Sequence, residues 1–210
     1  MKFKLLGLWT IMLATLLLAF PAVNFAEGAD PAPIVMLKQI TNEMLEALRV
    51  NKADILHNQD KLYAIVNKIL MPHIDQNSMA QQVVGREYWA NANSADRQLF
   101  IREFVKVVVR TYSAALTSYS DQRIKFSPLR EEVGGKASVE VKSQIVQNNS
   151  PEVELNYRLG LLGGRWKVRD FSVDGVSLVQ NYHSQFSEVL AQKGFAGLLR
   201  QLANNNRSAD

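Results

Sequence analysis

The stretch "VRDFSVDGVSLVQNYHSQF", residues 168–186, decides the fold, because the apolar period changes within it. Up to Val173 the apolar residues alternate with polar ones, as in a strand with one covered face. Asp174-Gly175 is turn chemistry. From Val176 the spacing becomes helical. A strand therefore runs directly into an amphipathic helix, with apolar and aromatic residues on both sides of the turn.

Upstream of this junction the period-two pattern persists. Gln122 to Leu129 alternates Ile124 and Phe126 with polar neighbours. Lys136 to Gln147 carries Val139, Val141 and Ile145, and Pro151 to Leu162 carries Val153, Leu155, Tyr157 and Leu159. Arg165 to Val173 carries Trp166, Val168 and Phe171. The links Gly134-Gly135, Asn148-Asn149-Ser150 and Gly163-Gly164 are short, so consecutive strands should pair antiparallel. Before the strands the spacing is helical: Ile34 to about Arg49, Asn58 to Met71 with Pro72 as its stop, and Asp75 to Val84 with Gly85 as its stop. The longest helix should span Ser94 to about Tyr119, with Asn93 as N-cap and Asp96 in the first turn. Its apolar set is wider than one buried stripe and includes Leu99, Phe100, Phe104, Val108, Tyr112 and Leu116. After the junction, helices are expected over Val176–Gln192 and Phe195–Asn204, separated by Gly194. Helices, an antiparallel meander, then helices make an α+β fold. The long helix is the obvious cover for the sheet, and a strongly curved sheet would leave a cleft beneath it.

Residues 1–26 read as a signal peptide, with Lys2 and Lys4 before an uncharged apolar run from Leu5 to Phe20 and a small-residue cleavage edge at 26–29. The expected division is a single domain over 30–205 and a polar, frayed tail over 206–210. Of 24 basic residues, two lie in the leader, leaving 22 against 20 acidic ones. Near neutrality gives no argument for nucleic acid. Cysteine is absent, which excludes disulfides, thiolate metal sites and an acylated cysteine at the processing edge. The chain reads as a soluble exported protein.

Chemistry is sparse. His57, His73 and His183 are scattered without metal-ligand spacing, so no metal is expected. Gly175-Val176-Ser177 lacks the second glycine of a nucleophile elbow. Asp170, Ser177 and His183 can be written as a hydrolase set, but Ser177 suits a helix start and Asp170 or Asp174 could cap that helix. Arg97, Arg102, Lys106 and Arg110 mark one edge of the long helix. Composition and spacing thus lead to an α+β domain whose surplus of large apolar residues either fills a core or lines a cleft.

Two blocks carry a resemblance. "ILMPHIDQNSMAQQVVGREYWANANSADRQLFIREFVKVVVRTYSAALTSY", residues 69–119, resembles the MlaC (toluene-tolerance) family at Pro72, Asp75, Met79, Ala80, Gly85, Trp89, Arg97, Phe100, Phe104, Tyr112, Leu116 and Tyr119. "WKVRDFSVDGVSLVQNYHSQFSEVL", residues 166–190, is similar to its second block at Trp166, Asp170, Gly175, Ser177, Leu178, Tyr182, Phe186 and Leu190. Asp96 and His183 depart from the family pattern, so no charged docking contact is carried over to them.

The resemblance implies an NTF2-like fold, with a curved sheet of four to five strands around an apolar cavity. It implies no catalysis and no cofactor, the phospholipid being the cargo. It also implies a periplasmic carrier, a monomer by default, working between an outer-membrane lipoprotein complex and an inner-membrane ABC transporter with a lipid-binding subunit, and so maintaining outer-membrane lipid asymmetry. The alternative is an NTF2-like interaction module without lipid. On the carrier reading the wall would comprise Phe100, Phe104, Val108, Tyr112, Val139, Val141, Val153, Leu155, Val173, Val176, Val179 and Phe186. Arg97, Arg102 and Lys106 would meet partners or the lipid phosphate. Asp170 and Gly175 would be structural.

Overall fold

The computed structural model describes residues 30–117, 122–129, 133–147 and 151–207. The leader, its cleavage edge, Tyr119 and the Asn148–Ser150 link lie outside the described residues.

Helix α1 (Ala32–Val50) starts on two prolines at positions where a helix needs no N–H. Asn51 ends it, its amide donating to the Ala47 carbonyl at 2.8 Å, and a short α2 (Lys52–His57) follows. The Asn58 side chain accepts from the Lys61 amide and starts α3 (Gln59–Ile69). Pro72 breaks the chain into a single 3-10 turn, Met71–His73. Asp75 then caps α4 (Gln76–Val84) by accepting from the Ser78 amide. Gly85, at φ 90°, turns the chain into α5 (Arg86–Asn91). Helix α6 (Ser94–Thr117) follows. Its start is the expected one: the Asp96 amide donates to Asn93 Oδ1 at 2.8 Å, while Asn93 Nδ2 donates back to Asp96.

The sheet is an antiparallel meander in the order β1-β2-β3-β4-β5. Its strands are β1 (Arg123–Phe126), β2 (Ser138–Val146), β3 (Val153–Leu162), β4 (Arg165–Val173) and β5 (Val176–Ser177). Four strands match the alternation closely. The fifth is a difference: Val176-Ser177 pairs with Val173 and Ser172 before the helix begins. The turn between them holds Asp174 at φ 47° and Gly175 at φ 79°, a pairing that a β-branched residue would resist. Helix α7 (Leu178–Arg207) runs past Asn204, bent at Gly194, whose φ of 64° is not helical. Asn206 is buried and donates to Glu103 of α6, so residues 206 and 207 are not a frayed tail.

Register fixes the sheet faces. Ile124, Ile145, Val153, Leu155, Tyr157, Phe171 and Val173 share one side with Val139, Val141, Leu159 and Val168. The other side carries Lys125, Glu140, Lys142, Glu154 and Arg158, all exposed. The helices lie on the apolar side. There the core divides into three clusters instead of one. One joins α4, α5, α6 and α7; a second joins α1, α2, α3 and α6; a third sets Ile34 and Leu37 of α1 on Val141, Leu159 and Val168.

Candidate functional site

Helix α6 is shared between two of these clusters, and they are filled. Phe100 stacks on Phe104 with centroids 5.5 Å apart and planes 9° apart. Tyr182 meets Phe104 edge-on at 5.0 Å, and Phe186 approaches both phenylalanines. Such ring pairs add to simple area burial. Phe100 is 0 % exposed. Phe100, Phe104, Val179 and Phe186 therefore pack against protein in this cluster and form no open wall.

Farther along the same stripe of α6, Val108 and Tyr112 pack against the margin of the first cluster, and Tyr112 reaches Phe171 of the sheet with ring centroids 6.2 Å apart. Both are only partly covered. The sheet face opposite behaves the same way. Under the first turns of α1 it is closed, with Val141 and Leu159 at 0 % and Val168 at 5 % exposure. Farther along, Ile145, Val153, Leu155, Phe171 and Val173 stay half-buried on that same apolar side. Cover thus runs out while the apolar surface of the sheet continues.

A groove of about 490 Å³ lies between α1 and the edge strand β1, in the usual size range of ligand pockets. Leu45, Ile124 and Phe126 provide its apolar lining, and Lys38, Arg49 and Arg123 its cations. Phe126 stacks on Tyr157 at 6.2 Å, which carries the groove floor to the middle of the sheet. The Tyr157 phenol is bonded to Ser143 and Thr41, and burial pushes it up to about 12.

Of the expected wall, the structure brings Val108, Tyr112, Val139, Val153, Leu155 and Val173 to partly covered positions. Val141 is closed beneath α1, and Val176 stands apart, 60 % exposed on β5. Leu45, Ile124 and Phe126 were visible in the sequence as members of apolar patterns, but nothing local shows that α1 and β1 meet.

The basic residues of α6 also separate. Arg97 donates to the carbonyls of Trp89 and Ala90 at 2.9 and 3.0 Å, and its guanidinium lies 5.4 Å from the Trp89 ring centroid. It finishes the C-terminus of α5. Lys106 sits over Tyr63 at 5.9 Å. Arg102 remains exposed.

The residues of the hydrolase set have other tasks. Asp170 is 3 % exposed and accepts from Ser177 Oγ at 2.6 Å, the Val179 amide at 3.1 Å and Arg158 at 3.0 Å. Ser177 Oγ in turn accepts from the Gln180 amide at 3.1 Å. Asp170 thereby fastens the start of α7 to β4, while His183 Nδ1 lies 3.0 Å from the Val83 carbonyl. Among the described residues no group of three or more His, Asp or Glu is placed to hold a metal, and no helix is long and apolar enough to cross a membrane.

The profile of the MlaC protein family matches residues 38–204, which include α6, the whole sheet and nearly all of α7. The chain belongs to the MlaC family. It is 29% identical over 182 residues to the toluene tolerance protein ttg2D of Pseudomonas putida, covering 87% of this chain and 82% of that one. It is 26% identical over 197 residues to the intermembrane phospholipid transport system binding protein MlaC of Haemophilus influenzae, covering 92% and 91%. Among solved structures, it resembles a phospholipid-binding protein of Ralstonia solanacearum determined in complex with a phospholipid. The TM-score is 0.76 at 26% identity, over 86% of this chain and 98% of that one.

Proposed function

We propose that this MlaC-family protein is a periplasmic phospholipid carrier. The acyl chains would lie in the cleft between α6 and the helix-facing side of the sheet, over Val108, Tyr112, Val139, Val153, Leu155 and Val173. The carrier would pass lipid between an outer-membrane lipoprotein complex and an inner-membrane ABC transporter, and so help keep the outer leaflet asymmetric. The observation that supports this most is the uneven cover of one sheet face: closed beneath α1, yet half-covered and apolar at Val153, Leu155, Phe171 and Val173. A protein with no ligand has little reason to leave such surface uncovered. Its likeness to a relative solved with phospholipid points the same way.

The energetics favour transfer only on contact with a partner. Burying a methylene contributes about 0.8 kcal/mol, so two chains with roughly 30 methylenes represent about 24 kcal/mol. Escape into water over a barrier of that size takes on the order of hours to a day. Lipid would therefore move only when a docked partner extends the apolar path, and Arg102 is the α6 cation left exposed for such a contact.

Native mass spectrometry of the purified protein tests the reading. Co-purifying phospholipid, retained for hours in buffer and released to acceptor complexes, is the expected result. A lipid-free protein that binds its protein partners tightly would mean the interaction-module reading instead.

A further inference from the structure

Strand β1 is an edge of the sheet, paired with β2 alone in the register Arg123↔Val146 to Phe126↔Ser143. Just beyond it, the Ser127 amide donates to the Lys142 carbonyl at 2.9 Å. In an antiparallel pair, bonding toward one neighbour falls on every second residue. Arg123 and Lys125 therefore bond toward β2, as Ser127 does. The N–H and C=O groups of Ile124 and Phe126 point the other way, and among the described residues they have no partner. Unpaired groups of this kind are a template for a further strand.

Side chains alternate across the same strand. Ile124 and Phe126 turn to the apolar side, where they border the groove shared with Leu45 of α1. The one carboxylate among the described residues lining that groove, Glu46, is held by Arg49 at 2.8 and 2.7 Å. Arg123 and Lys125 turn to the opposite side, both exposed and without a side-chain partner among the described residues. A second copy pairing through its own β1 would set one Arg123/Lys125 row beside another, and like charges across a sheet repel. An acidic strand meets the same row with opposite charge.

We propose that β1 and the adjoining groove accept an extended segment of a partner protein as an added strand, one that alternates apolar residues toward Ile124, Phe126 and Leu45 with Asp or Glu toward Arg123 and Lys125. Main-chain hydrogen bonds to Ile124 and Phe126 supply affinity, and the two side-chain rows supply specificity. The surface involved is small, which makes the contact a transient one. It goes beyond the carrier reading and stands without it.

The test uses the full mature chain and labelled peptides of about eight residues, a strand's length, alternating valine with glutamate or valine with lysine. Fluorescence anisotropy should show saturable binding of the Val/Glu peptide, roughly tenfold tighter than Val/Lys, and the Ile124 and Phe126 amides should gain protection from hydrogen exchange. Methylating every second peptide nitrogen on the pairing edge should abolish binding. Arg123→Glu with Lys125→Glu should reverse the preference. Ile124→Pro should abolish binding while leaving the β1–β2 ladder, because the N–H it removes points outward; a circular dichroism melt checks its fold, and the charge-reversed variant provides an independent reading. Equal binding of both peptides, no binding of either, or full binding of the methylated peptide overturns the proposal. So does a concentration-dependent dimer that Ile124→Pro abolishes, which would give the edge to a second copy.

Discussion

On its α7 side, α6 presents Phe100 and Phe104 to Tyr182, Phe186 and Phe195, ring against ring, with almost no exposure. Farther toward its C-terminus it presents Val108 and Tyr112, both only partly covered, with Tyr112 against Phe171 of the sheet. The two regions have similar composition but different finish. Large flat rings from α6 and α7 fill the first, where helices can approach to side-chain contact. In the second, Val108 and Tyr112, like Val153, Leu155 and Val173 of the sheet, are left partly covered. The contrast teaches that one helix can be structural along one part of its length and receptive along the next.

Breaking the filled region should cost most. Phe104→Ala removes a ring from a closed stack and should destabilise by about 3–5 kcal/mol in a denaturant melt. Lipid bound per folded molecule should stay unchanged, because the ring lies outside the cleft. Next comes the junction that sets α7 against the sheet. Asp170→Ala deletes the acceptor for Ser177, the Val179 amide and Arg158, and should cost about 2–4 kcal/mol. A loss below about 0.5 kcal/mol would show that α7 is held without this carboxylate.

Alkaline pH sharpens the comparison at the groove floor. The folded Tyr157 phenol titrates near 12, above its ordinary value of 10.0. Its contribution is complete below pH 10 and is lost as pH rises through 12, at most about 3 kcal/mol. Tyr157→Phe should flatten that part of the stability profile, measured by urea melts between pH 9 and 12. The smallest stability effect belongs to the open region. Leu155→Ser should cost only about 1 kcal/mol in the lipid-free protein, since the side chain is half-exposed. It should nevertheless shorten lipid retention severalfold in a labelled-lipid release assay. A large stability loss with unchanged retention would reverse the roles assigned to the filled and the partly covered regions.

Much of the architecture was legible because its signals are local. Alternation in 138–146, 153–162 and 165–173, with Gly163-Gly164 between the last two, specifies both strands and pairing. Asn93 with Asp96, and Asp75 before Gln76, mark helix starts by chemistry that acts within three residues. Helices α2 and α5 escaped notice because six residues are too few to show a 3.6 period. Strand β5 escaped because two residues have no alternation. The wall residues were harder for a different reason. Periodicity shows that Phe100 and Val108 are turned away from water, yet it is silent on whether protein or empty space lies opposite. That depends on how α7, α1 and the sheet are spaced, as does the meeting of Leu45 with Ile124 across about 80 intervening positions.

The central claim concerns where hydrocarbon sits. A phospholipid carrying a nitroxide at mid-chain can be loaded into protein with isotope-labelled methyl groups, and the broadening of each methyl resonance read by NMR. The account predicts strong broadening at Val108, Val153, Leu155 and Val173, with little at Leu62 and Leu198, which lie in filled clusters. Broadening confined to surface methyls such as Val50 and Leu56, with the four cleft residues untouched, would contradict it.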